Sequence, residues 1–280
     1  MNTLVTGSGG LVGSALVRTG EVTGLTRDQL DITDEAAVAR VLSQHRPASL
    51  INAAAQAGVD RADLEPEWTH RVNGAAPGML ARLAADQGVR FVHLSTDYVL
   101  DAPELERMPE TVEPRPCSTY ARSKLEGEQA VLRAGGTVVR LQWVYSPLGR
   151  GFFNHALTTM KAGDSVRLVT DQVGCPTPAE LLAPALLKIA GAEATGLFHL
   201  ATQGAATAHE WIAAGAEAAG IPLRAQAALR ADFEGAHRPS RSVLDSSKAA
   251  EIFGIRLPDW RDALQTVMAS GDRLGDGATP

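Results

Sequence analysis

The chain has 280 residues, 45% hydrophobic and 21% charged, with a formal net charge of -6. That balance suits a folded protein with a sizeable core and leaves little room for extended disorder. Net negative charge without any basic run argues against a nucleic-acid partner, and no apolar stretch approaches a membrane span. The two cysteines, Cys117 and Cys175, lie far apart with no metal or redox spacing, so two reduced thiols and no metal site are expected.

Met1 leads directly into an apolar segment, Thr3–Thr6, with no basic leader or cleavage pattern, so a cytoplasmic protein is expected. Short β-rich runs then alternate with helix-period segments, the pattern of parallel βαβ units. The runs are Thr3–Thr6, Val22–Leu25, 49–53, 89–95 and 137–143. A helix is expected after Asp31 to Asp34, and a long one after Glu65, Pro66 and Glu67, running to about Ala85. After residue 145 the rhythm breaks at Pro147, Gly149, Gly151, Gly174, Pro176 and Pro178. Beyond it, Val166–Val169 and 196–200 look like strands able to extend the first sheet, and 178–189 and 208–219 look like helices. The fold class expected is therefore α/β, a Rossmann-type doubly wound parallel sheet with a smaller C-terminal substrate-binding lobe. Residues 1–145 would form the dinucleotide-binding domain, 146–270 the lobe with some strands returning to the main sheet, and 271–280 a flexible tail.

Directly after the first strand stand Gly7, Ser8, Gly9, Gly10, Leu11, Val12 and Gly13, glycines at GxxGxxG spacing that open a helix. A tight strand-to-helix turn needs a residue that tolerates positive φ, and a pyrophosphate must approach bare backbone. The helix N-terminus then supplies unpaired N–H groups and partial positive charge. Near the end of the second strand, where NAD enzymes carry an acidic residue for the ribose 2′-hydroxyl, this chain has Thr26 and Arg27. A guanidinium there can pair with a 2′-phosphate, which favours NADP, while the adjacent Asp28 leaves NAD open. Asp31 and Ile32 are candidates for the adenine pocket, and Asp31 reads equally well as a helix cap.

Tyr120 and Lys124 lie four residues apart, which puts both on one face of a helix. The chain has three tyrosines, so a chance pairing at this spacing is rare. A neighbouring ammonium is expected to favour the phenolate and make Tyr120 a usable proton donor. Thr96 follows an apolar strand, at the carboxyl end where parallel sheets bind ligands, and can hydrogen-bond a carbonyl under reduction.

These residues resemble the dTDP-4-dehydrorhamnose reductases and related sugar-nucleotide 4-ketoreductases, members of the extended short-chain dehydrogenase/reductase class. The likeness runs through Asn52 to Ala55, Val59, Asp60, Asn73, Ser95 to Val99 and Ser123 to Glu128. It continues through Gln142 to Tyr145, Asp171, Gln172, Gly174, Pro176, Thr177, Arg238, Pro239, Ser242, Leu244 and the group Pro258, Asp259 and Trp260. The resemblance implies a catalytic group of Thr96, Tyr120 and Lys124. It implies that Leu11, Val12, Ala53, Ala54, Ala55 and Ser95 join the glycines at the cofactor, with Tyr120 and Lys124 reaching the nicotinamide ribose. It places Val59, Asp97, Trp143, Phe152 and Arg238 against the substrate. The activity implied is NADPH-dependent reduction of the 4-keto group of a nucleotide-linked 6-deoxy-4-ketohexose, in deoxysugar biosynthesis, and the resemblance leaves room for a homodimer. A sugar-nucleotide epimerase of the same fold stays open, as does a non-catalytic regulatory subunit like that of methionine adenosyltransferase. Departures from the family's pattern at Ala57, Leu100, Ala102, Phe152 and His237 cluster where substrate would lie, and leave the identity of the sugar open.

Overall fold

The computed structural model describes residues 2–270; the tail expected at 271–280 lies outside them. A six-stranded parallel sheet forms the frame. Its strands are β1 (Thr3–Thr6), β2 (Val22–Leu25), β3 (Ser49–Asn52), β4 (Arg90–Thr96), β5 (Thr137–Leu141) and β6 (Gly196–His199). In space the order is β2-β1-β3-β4-β5-β6, so the chain winds outward from β1 in both directions. The reversal of winding falls between β1 and β3, where doubly wound folds open a crevice at the strands' carboxyl ends.

Every residue of β1, β3 and β5 is buried, as a sheet covered by helices on both faces requires. On one face Val5, Ile51, Val92 and Val139 pack with Leu16 of helix Leu11–Arg18 and Leu182, Leu186 and Ile189 of helix Ala179–Gly191. On the other, Leu4, Leu50, Phe91 and Val138 pack with Val38 and Leu42 of helix Glu35–His45 and Leu80 and Ala84 of helix Ala76–Asp86. Between β4, β5 and the helix Thr119–Arg133 sits a fully buried ion pair: Arg140 grips both carboxylate oxygens of Glu128, at 2.9 and 2.7 Å. Removing one partner would strand the other's charge, at a cost of about 3–5 kcal/mol.

Three elements differ from the expectations. The long helix to Ala85 is instead Pro66–His70, a wide π turn at Arg71–Ala75, and Ala76–Asp86. Pro77 has no N–H to give, and its ring would crowd the carbonyl of Asn73 four residues back, so regular α-helix cannot run through this point. The run 137–143 is broken at Trp143, whose φ of 40° lies in the left-handed region, and Val144–Tyr145 pairs separately with Thr177–Pro178. Val166–Val169 does not extend the first sheet but pairs in parallel with Ala225–Ala228. The strand at 196–200 does return, as β6 beside β5. Residues after 145 are thus divided between the main sheet and a lobe built on Phe153, Trp211, Ile212, Trp260 and Leu264.

Candidate active site

Two clefts open near the carboxyl ends of the strands. The first, about 440 Å³, is lined by Gly7, Gly10, Arg27, Asp31, Ile32, Ala53, Ala54, Ala55, Gln56 and Trp68, among others. Gly7 has φ of 69°, and a side chain on it would come within 2.5 Å of the Ala54 backbone nitrogen. A side chain on Gly13 would run into the Gly7 carbonyl, so this glycine lets the helix seat against the turn and is itself buried behind the cleft. Gly10 caps helix Leu11–Arg18 without any side-chain hydrogen bond, which leaves the first N–H groups of the helix for a ligand. Leu11 and Val12 contribute those N–H groups rather than side chains: Leu11 packs under Gly149 and Val12 on the core.

The cleft suits a dinucleotide in further respects. Arg27 lies over the Trp68 ring at 4.9 Å, a stacked guanidinium with donors free for an anion. Asp31 accepts from the Thr33 amide and hydroxyl at 2.9 and 2.8 Å, which holds its carboxyl below the usual range, with Arg27 and Arg71 assisting. The cap of the second helix is Asp34, which accepts from Ala37 N–H, so Asp31 is left to the cleft. Gln56, a lining residue that sequence reasoning passed over, has no protein partner for its buried amide nitrogen.

The second cleft, about 470 Å³, is lined by Asp60, Tyr98, Trp143, Phe152, Trp211, Arg238 and residues of the lobe including Arg167, Arg230 and Phe233. Trp143 sits flat on Gly174, where any side chain would collide with the indole, and its ring centroid lies 5.9 Å from that of Trp211. The strained backbone of Trp143 is therefore held by packing from beneath and from the lobe. Phe152, half exposed, lies 6.1 Å from Trp211. Arg238 pairs with Asp60 at 2.7 Å, and that hydrogen bond keeps the Asp60 carboxyl below its ordinary range. Val59, expected against substrate, opens the short helix Val59–Leu64 between Gly58 of the first cleft and Asp60 of the second, and lines neither.

Thr96 and Tyr120 come together where β4 ends and helix Thr119–Arg133 begins, and Lys124, one turn further along the helix, lies against the same strand. The Ser118 hydroxyl caps that helix by accepting from Ala121 N–H, so its first turn presents Tyr120 toward the strand end. The Tyr98 and Tyr120 rings meet edge-to-face at 5.9 Å, which links the catalytic group to the second cleft. Burial pushes the Tyr120 hydroxyl up to about 12; its hydrogen bond with Thr96 pulls the other way, and the Asp97 charge adds to the rise. The expected acidification by Lys124 is thus not what this structure shows. The Lys124 ammonium turns down instead, donating to the Leu94 carbonyl at 2.7 Å and meeting His93 Nε2 at 3.2 Å, and burial lowers it to about 8.

His93, missed in the sequence, forms the floor of this group. Thr6 donates to Asn52 Oδ1 at 2.6 Å, and Asn52 Nδ2 meets His93 Nδ1 at 3.1 Å. Asn52 Oδ1 also accepts from Ala54 N–H, which fixes the amide so that its nitrogen faces the ring. His93 Nδ1 is then an acceptor and the proton of this neutral imidazole belongs on Nε2; an ammonium has no lone pair, so the 3.2 Å approach of Lys124 is a contact between two donors and not a hydrogen bond. Burial holds His93 well below its ordinary pKa, consistent with the neutral ring. Only the Val89 to Ser95 strand pattern contained it, and that pattern marks burial rather than chemistry.

Two expected site residues are directed elsewhere. Ser95 donates to Glu128 Oε1 at 2.5 Å, toward the buried ion pair and away from the cofactor cleft. Asp97, expected against substrate, is buried: Oδ2 accepts from Ser242 at 2.5 Å and Gln142 at 3.1 Å, and Oδ1 from Thr96 at 3.1 Å. It knits the strand end to the 242–244 segment, and burial raises its carboxyl to about 6 against those hydrogen bonds.

The model for the RmlD substrate binding domain family matches residues 1–272. The chain belongs to this family. Among RmlD family relatives, dTDP-4-dehydrorhamnose reductase of Mycolicibacterium smegmatis is 38% identical, covering 95% of this chain and 85% of its own length. The dTDP-4-keto-6-deoxy-D-glucose reductase of Streptomyces niveus is 36% identical over 73% of this chain and 74% of its own. Among solved structures, the dTDP-4-dehydrorhamnose reductase of Bacillus anthracis in complex with NADP superposes with a TM-score of 0.91 at 25% identity, covering 97% of this chain and 99% of that one. The RmlD family assignment and the doubly wound sheet agree with the resemblance read from the motifs.

Proposed function

We propose that this chain is an NADPH-dependent reductase that converts the 4-keto group of a nucleotide-linked 6-deoxy-4-ketohexose to an alcohol, the activity for which its relatives are named. The observation that carries this reading is the meeting of the Thr96 hydroxyl and the Tyr120 phenol at the end of β4, with Tyr120 edge-to-face on Tyr98 of the aromatic, arginine-bearing cleft, in a fold whose glycine-lined cleft suits a dinucleotide. In this reading the pyrophosphate rests on the Gly7 to Gly13 turn and a 2′-phosphate meets Arg27. Bound NADPH would supply the hydride that the carbonyl carbon receives.

The protein's part is to position and to protonate. Tyr120 stays protonated at neutral pH because burial holds its hydroxyl near 12, so it is present as a donor when the carbonyl oxygen gains charge. Thr96, on turning its one hydroxyl proton from Asp97 Oδ1, would donate to the same oxygen beside Tyr120. Lys124, poised near 8 and held by the Leu94 carbonyl beside His93, would turn up from that carbonyl to reach the ribose hydroxyls and to return a proton to Tyr120. Trp143 and Phe152 form an apolar bed for a 6-deoxysugar, and Arg238 reaches toward the diphosphate. The proposed setting is the cytoplasm.

The test is incubation with NADPH and a panel of nucleotide-linked 4-keto-6-deoxyhexoses, following nicotinamide absorbance. Stoichiometric oxidation of NADPH with formation of the alcohol is expected for at least one sugar. An epimerase would interconvert sugars without net NADPH consumption, and a regulatory binding subunit would do neither; either result would replace this reading.

A further inference from the structure

We propose that Asp101, Cys117 and His237 form a zinc site that clips two loops together beside the substrate cleft. The three residues are distant in sequence, and the fold brings their donor atoms within 4.8 Å of one another. Cys117 Sγ lies 3.3 Å from Asp101 Oδ2, and His237 Nε2 lies 3.2 Å from the same oxygen. In a tetrahedral zinc centre, ordinary Zn–S, Zn–N and Zn–O bonds put neighbouring donors roughly 3.4–3.6 Å apart. The two pairs that share Asp101 Oδ2 need to open by only a few tenths of an ångström, and the thiol and imidazole, within 4.8 Å of each other, need to draw in by about an ångström at most, to close three ligands on one ion.

The donor set selects the metal. Thiolate, imidazole and carboxylate suit zinc, whereas magnesium and calcium take oxygen ligands. Thiolate and carboxylate together neutralise a dication, so binding leaves no uncompensated charge at the surface. Cys117 and His237 are exposed and Asp101 partly so, which gives an ion a path in and leaves a fourth position to water. Cys175, the other thiol, cannot substitute: it is buried and lies outside the cluster.

The site's place in the fold gives it a consequence. Asp101 follows the Thr96 to Tyr98 turn that carries the catalytic hydroxyl, and Cys117 immediately precedes the Ser118 cap of the Tyr120 helix. His237 is next to Arg238, which lines the substrate cleft and pairs with Asp60. A zinc ion here would fasten the wall that bears Arg238 to the frame that bears Thr96 and Tyr120.

Cobalt(II) is the probe, added to reduced, chelator-treated full-length protein. One cobalt per chain is expected, with an intense thiolate-to-cobalt charge-transfer band that zinc displaces. Cys117→Ser should abolish the band, and His237→Gln and Asp101→Asn should each weaken cobalt binding by at least the ~10-fold that loss of even an outer partner of a metal site costs. Circular dichroism identifies any variant that fails to fold, and the remaining two then carry the test. With zinc, amide exchange should slow in both residues 101–117 and 233–243. Absence of the band, a band that persists in Cys117→Ser, affinity unchanged in His237→Gln and Asp101→Asn, or exchange unaltered by zinc would each overturn the proposal.

Discussion

The two clefts are built by different means. The first cleft, proposed for the cofactor, comes from the first 72 residues, and its central device is backbone: glycines that let a turn, a strand end and a helix N-terminus approach one another. The second, proposed for the substrate, collects side chains from positions 60 to 238, and its devices are aromatic faces and guanidinium groups held by long-range packing. A backbone cradle accepts a pyrophosphate whatever surrounds it, while a side-chain cleft changes its ligand with a few substitutions. Cofactor use should therefore be hard to alter without damage, and sugar preference easy.

The largest effect should come at Tyr120, beside the second cleft. Tyr120→Phe removes the proton donor alone and should lower kcat by ~10²–10⁴-fold, with NADPH affinity little changed; parallel loss of affinity would mean that Tyr120 belongs to the cradle. Next, Gly10→Val places a side chain where phosphate must meet backbone, while the only nearby atom a Cβ would approach is the Gly7 oxygen at 3.3 Å. Losing one charge-assisted hydrogen bond, about 1.5–3 kcal/mol, should weaken NADPH binding by ~10–100-fold, while the ~1 kcal/mol cost of a poorer helix cap lowers the melting temperature by only a few degrees. Isothermal titration with nucleotide-sugar on the same variant should show the second cleft intact, and joint loss would dissolve the distinction between the two.

Arg238→Met should act in the opposite sense, raising KM for the nucleotide-sugar by ~10-fold and sparing NADPH affinity, since the charge it removes lies in the second cleft alone. The smallest effect is expected from pH. Lys124 is lowered by burial to about 8, so its charge is present below that value and lost above it. The kcat/KM for NADPH should accordingly be level from pH 6.5 to 7.5 and fall at most tenfold per pH unit beyond about 8. A profile level through pH 9.5 would show that cofactor capture does not use the Lys124 charge.

Legibility in the sequence followed the same division. The glycine turn, Arg27 and the alternation of strands and helices are local patterns, and all of them were readable because neighbours in the chain are neighbours in space. Tyr120 and Lys124 were readable as a helical pair, but the direction of the Lys124 ammonium was not, since it depends on His93 and the Leu94 carbonyl, 31 and 30 positions away. Asp97 was misplaced for a similar reason: its partners Gln142 and Ser242 lie 45 and 145 positions along the chain. Trp211, Arg230 and Phe233 carried no local signal of a cleft, because a tryptophan or an arginine on a lobe helix or loop reads as packing or solvated charge until the fold brings it to Trp143. The three-residue group at Asp101, Cys117 and His237 was equally invisible, having none of the short spacings by which metal motifs are found.

The wide turn at Arg71–Ala75 reaches further than its own helix. Because Pro77 cannot supply the amide that would close a regular turn there, the Asn73 carbonyl stays turned out, and Gly127 lets the Tyr120 helix slide in against it. The Asn73 side chain meanwhile holds both Gln56, at 2.9 Å, and Ser123, at 3.2 Å. A flaw in one helix thus serves as the bearing on which the next one is aligned, so the azimuth of the helix that carries Tyr120 is fixed by an amide hydrogen that proline does not have.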